Sequence, residues 1–134
     1  MKTRSMLTLE DCKRIAAAAE AEARKNNWNV CVAILDDGGH LLHLFRMDGA
    51  TPANSRIAME KGRTAAETRR STAMWEDRVK GGRMVMLKMP GVTPVQGGLP
   101  IVIDGECIGA VGVSGVQSHE DEQIAKAGIA ALTS

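Results

Sequence analysis

The stretch Leu99 to Ile103, Asp104-Gly105, Glu106 to Ser114 constrains the fold more than any other part of the chain. An Asp-Gly pair between two β-rich runs forms a tight type I′ turn, because both central residues must take positive φ and these two types accept it. A second hairpin is read earlier. Val30 to Leu35 is a continuous apolar run, Asp36-Asp37-Gly38-Gly39 is a turn, and His40 to Arg46 returns as a strand.

Helical patterns surround the hairpins. Leu9, Cys12, Ile15, Ala16, Ala19 and Ala23 form one thin apolar stripe, with Thr8 as cap and Asp11 three residues on. Asn26-Asn27 ends it. Thr51-Pro52 opens a helix expected to run to about Arg70. Ser71-Thr72 caps a shorter one to Val79, stopped by Gly81-Gly82. Arg83 to Gly98 holds Pro90, Gly91, Pro94, Gly97 and Gly98 and is expected to be an ordered loop. Ser118 is expected to cap the last helix, with Glu120, Asp121 and Glu122 in its first turn. The order α-β-β-α-α-loop-β-β-α predicts an α+β class: one domain over residues 1–134, an antiparallel β-sheet flanked by helices.

Composition narrows the function. Only 2% of the residues are aromatic (Trp28, Phe45, Trp75), and the formal net charge is +1. Base stacking on single-stranded nucleic acid needs more rings, and a nucleic-acid or membrane footprint needs more cations. Neither partner is expected. No apolar run reaches the ~20 residues of a membrane span, the first residues show no signal-peptide core, and a cytoplasmic location is expected. Cys12, Cys31 and Cys107 contain no Cys-x-x-Cys pair, so no metal site is expected. His40 and His43, read on one strand at odd separation, point to opposite faces and do not form a metal clip.

The remaining polar residues define a candidate site. Arg46 offers a planar fork to a carboxylate, with a structural pair to Asp48 as the competing reading. Lys61 on the next helix is a second candidate cation. Gly97 and Gly98 can offer backbone amides to an anion, although turn geometry explains them equally well. His119, at the start of the last helix, is a candidate base or metal ligand. Ser114 and Gly115 close the preceding strand. On that strand Glu106, Ile108, Ala110, Gly112 and Ser114 are expected to share a face whose small residues admit a packed helix, a ligand or a subunit partner. Residues 54–90 hold nine Lys/Arg against four Asp/Glu, and residues 91–134 one Lys against five acids.

Three motifs carry a resemblance. They are Asp36-Asp37-Gly38-Gly39-His40-Leu41 with Arg46-Met47-Asp48-Gly49-Ala50; Gly97-Gly98-Leu99-Pro100-Ile101 with Asp104-Gly105; and Ile108 to Gly115 with Asp121-Glu122-Gln123-Ile124-Ala125. Together they resemble the HbpS/GlcG family, which includes the C-terminal domain of PduO-type corrinoid adenosyltransferases. The resemblance implies a profilin-like fold, tight homo-oligomers, and haem or a corrinoid as possible cofactors. Two departures are visible. Val116 stands where the family often has a second glycine, and no histidine lies between Leu7 and Asn29, where haem-binding PduO-type relatives use one. The reading that follows is a small-ligand-binding protein for a metabolite or tetrapyrrole. The alternative is a hydrolase or isomerase of a small carboxylate, with His119 and Arg46 as its catalytic pair.

Overall fold

The Asp104-Gly105 turn forms as its sequence dictates, with φ of 50° and 79° at its two central residues. It joins β3 (Gly98–Ile103) to β4 (Glu106–Ser114). The computed structural model describes residues 1–133. β1 (Cys31–Asp36) and β2 (Leu41–Arg46) form the other hairpin, and β1 pairs antiparallel with β4, giving the order β2-β1-β4-β3. The α+β expectation holds.

Helices cover both faces. α1 (Leu9–Lys25) and α4 (Ser118–Ala130) lie on one face, where Cys12, Ile15, Ala19, Ile124 and Ala125 meet Val32, Ile34, Ile101, Val111 and Val113. The Thr8–Asp11 capping box closes the start of α1 through two reciprocal hydrogen bonds of 2.9 and 3.1 Å. α2 (Pro52–Thr68) covers the opposite face, with Ala58 against Cys31, Ala33 and Leu35. The small residues of β4 serve this contact. A β-carbon at Gly112 would collide with the Ala58 carbonyl oxygen and with the Gly62 amide nitrogen, and Ala110 packs on Ala65 and Ala66. A packed helix, rather than a ligand, occupies that face. The α2 backbone lies almost on the sheet.

Some boundaries and one phase differ from expectation. Gln117, not Ser118, precedes α4, and its amide donates to Glu120 Oε1 at 3.1 Å. Arg83 to Gly98 contains α3's exit and a 3₁₀ turn at Met84–Lys88, after α3 (Thr72–Lys80). Its later part is tied down: Thr64 donates to the Gly91 carbonyl and accepts from the Thr93 amide, and Gln96 binds Glu76 and Glu122. Ile108 joins the cluster of Val111 and Val113, not that of Ala110. A β-bulge causes this: Ile101 pairs with Gly109 but Val102 with Cys107, so the alternation slips by one at Ile108. His40 lies in the turn before β2, with its Nδ1 3.3 Å from Asp36 Oδ1, so strand alternation with His43 does not apply.

Candidate functional site

Arg46, Cys31 and Ser114 form one cross-strand row at the end of the sheet where β2 and β4 finish. Paired residues share a face, and Cys31 packs with Ala58, so the row faces α2. The first turn of α2 stands over it. Asn54 donates to Ser114 Oγ at 3.0 Å and accepts from the Thr51 amide at 2.9 Å. Burial raises the Cys31 thiol pKa, while a hydrogen bond with Ser55 and the Arg46 charge act in the opposite direction. Arg46 is the cross-strand neighbour of Cys31, the residue on which the first part of α2 packs. α2 has no acidic residue in its first turn, so its partial positive end is uncompensated by side chains.

Arg46 and Asp48 are both exposed and form no ion pair with each other, nor does Arg46 with any other described carboxylate. The structural-pair reading of Arg46 is thereby removed. Ser114 is buried beneath Asn54. Gly115 is exposed, and its backbone runs against Asn29 and Val30.

Lys61 does not belong to this surface. Its side chain is 2% exposed, donating to Asp121 Oδ2 and to the Val113 carbonyl, both at 3.0 Å. Asp121 Oδ1 accepts from the Val116 amide at 3.1 Å. Burial is the largest influence on Asp121 and leaves its pKa raised, although the Lys61 charge and the Val116 hydrogen bond oppose it. The pair ties α2 to the start of α4 across the sheet, at the end of β4 where the Val113 carbonyl is its third partner. Lys61 as a ligand-binding cation is thus corrected to a structural role.

Gly97 and Gly98 are corrected in the same way. Both are buried, and the Gly98 amide donates to Thr72 Oγ1 at 2.8 Å. The Gly97 carbonyl accepts from the Val113 amide at 3.0 Å. A side chain at Gly98 would collide with the Lys61 carbonyl. These glycines let the start of β3 pass under α2, and the Gly98 amide is not presented to an anion.

His119 is exposed in the first turn of α4. α4 packs on the face of the sheet opposite Arg46. The two residues therefore share an end of the sheet but not a face, and are not brought together as a catalytic pair. Sequence reasoning missed Asn54 and Thr72 as organising residues. Asn54 sits at the third helical position after a Thr-Pro start, a capping signal, but its bond to Ser114 spans 60 positions.

Residues 7–130 match a family model described as "Haem degrading protein HbpS-like". The chain is 49% identical over 114 residues to Protein GlcG of Escherichia coli K12, covering 85% of each chain. Among solved structures it is similar to a double mutant of Streptomyces reticuli HbpS. That match has TM-score 0.90 and 32% identity over 98% of this chain and 90% of that one. A PduOC:Heme complex is also similar, with TM-score 0.86 and 29% identity over 95% of each chain. These matches span the sheet and all the helices that build the site, and the chain belongs to the HbpS-like family.

Proposed function

We propose that this protein binds a small carboxylate-bearing ligand, a metabolic acid or a tetrapyrrole, as a homo-oligomer. The observation that carries this reading is Arg46: exposed, without an ion-pair partner among the described residues, and beside the acid-free start of α2. A guanidinium there can take a carboxylate with both of its forked N–H groups, and the helix start adds to the attraction. Support comes from the relatives, one of which is a complex with haem. Haem carries two carboxylates of its own, so one site chemistry serves either ligand.

Iron coordination is a separate matter. No histidine lies on α1; His119, exposed at the same end of the sheet as Arg46 but on the other face, is proposed to reach a haem iron from round that end.

The test is titration with haem, followed by its Soret band, and with a two- or three-carbon hydroxy acid, followed by calorimetry. A charge-assisted hydrogen bond contributes about 1.5–3 kcal/mol, so Arg46→Ala is expected to weaken whichever ligand binds by ten-fold or more. His119→Ala is expected to remove the Soret shift only. Binding unaltered by Arg46→Ala would overturn the site.

A further inference from the structure

We infer that β2 is the docking edge for a second copy of this chain, so that two sheets join across a two-fold axis and the Arg46 site is shared between them. The inference rests on the homo-oligomer proposed above and names its surface.

The two edges of the sheet are unequal. β3 carries Pro100, which has no N–H, and its start is overlaid by α2 and Thr72. β2 has neither proline nor a formal charge between Leu41 and Phe45, and Leu41 and Leu42 are 48% and 40% exposed. Proline and charge are the usual means of blunting an edge. The bulge in β2 lies at the turn end, where Leu42 is skipped between the Ile34–His43 and Leu35–Leu41 pairs. His43 to Arg46 remains regular.

The direction of the backbone groups follows from the register. The Met47 amide donates to the Val30 carbonyl. Antiparallel pairs alternate between bonded and non-bonded, so Phe45 and His43 direct their groups to β1. Leu44 and Arg46 direct theirs outward. A second copy placed antiparallel about an axis at Phe45 sets Leu44 of each chain opposite Arg46 of the other. About four main-chain hydrogen bonds result.

Three features favour a second copy over another partner. The arrangement is self-complementary, as a closed two-fold contact must be. It opposes the two Phe45 rings as a non-bonded pair, where side chains approach most closely, and Phe45 is the only phenylalanine of the chain. It also points the Asp36-Asp37 turn of each copy, where Asp37 pairs with Arg4, past Arg46 of the other toward the side on which α2 begins without an acid. The two Arg46 side chains then lie on the same face, diagonal to each other, about 7–8 Å apart at the backbone. An anion between them is held from both copies and relieves their repulsion.

The test combines sedimentation at micromolar concentration with amide exchange. Leu44→Pro removes an outward N–H and costs no bond to β1. Leu44→Lys sets a cation directly opposite Arg46 of the other copy, as a second variant should Leu44→Pro not fold. The expected wild type is a dimer, or an even multiple, with slowly exchanging Leu44 and Arg46 amides. Either folded variant is expected to halve the mass, and Leu44→Lys to raise exchange at the amides of positions 44 and 46 at least ten-fold. Wild-type mass in both variants with fast exchange at Leu44 and Arg46 overturns this interface and leaves the homo-oligomer standing. A monomeric wild type overturns both.

Discussion

Replacing Lys61 by methionine isolates the energetics of the buried pair. The Lys61 ammonium and the Asp121 carboxylate are 3.0 Å apart, with side chains 2% and 3% exposed. Without Lys61, the Asp121 carboxylate keeps only the Val116 amide as its partner, and the Val113 carbonyl loses a donor. Removing one member of a buried pair costs about 3–5 kcal/mol, because the other charge stays in a medium that solvates it poorly. On a domain of this size about 4 kcal/mol corresponds to a fall in Tm of roughly 10–20 °C. The effect depends on pH. Asp121 already has a raised pKa through burial, and losing Lys61 raises it further. An acid whose folded pKa exceeds its unfolded value binds more protons when folded, so stability falls as pH rises through that window. Lys61→Met is therefore expected to be most destabilised near neutral pH, with the loss shrinking as pH falls through the raised Asp121 pKa toward the ordinary carboxylate range. The assay is urea unfolding between pH 4 and 8, with an unchanged m-value showing that only stability has moved. Lys61→Met with Asp121→Asn is expected to recover more than half of the loss at pH 7. A single-variant loss under about 1 kcal/mol, or a double variant that equals the sum of the singles, refutes the argument.

Other outcomes follow from the same packing. Gly98→Val is expected to lower stability by more than about 2 kcal/mol, since the new side chain meets the Lys61 carbonyl; a thermal melt within two or three degrees of wild type would contradict this. Thr8→Ala removes the hydroxyl that accepts from the Asp11 amide at the start of α1 and is expected to cost about 1 kcal/mol, read from the denaturation midpoint. Cys12, Cys31 and Cys107 are all buried and unpaired, so a thiol reagent is expected to titrate none of them rapidly in the native protein and all three in denaturant.

The hairpins and helix caps were legible because their causes are local. Asp104-Gly105 demands positive φ on the spot, and Thr8 finds its partner three residues away. The Lys61–Asp121 pair spans 60 positions, and nothing within either helix marks its lysine as buried. Lys61 therefore reads as one more cation of a basic stretch. Gly97 and Gly98 have the composition of an anion loop, but their use depends on how near α2 comes. The small face of β4 allowed a helix or a ligand, and only tertiary packing decides between them. The bulge at Ile108 likewise leaves no residue that breaks the apparent alternation. Arg46 and His119 are exposed where the sequence puts them, since a strand end before a Gly-containing turn and the first turn of a terminal helix face solvent in most packings.

The near-contact of the Gly112 and Gly62 backbones also governs how such a chain can change. At Gly112 the strand cannot gain even a methyl group, because the Ala58 carbonyl and the Gly62 amide occupy its place, so mutational scanning should find alanine rejected at Gly112 as firmly as tryptophan. The outer side of α2, a few ångströms away, has no such restriction. Variation in this protein is therefore directed to the surface of the helix and to the ends of the sheet, where a ligand's chemistry can be altered without moving the frame that holds it.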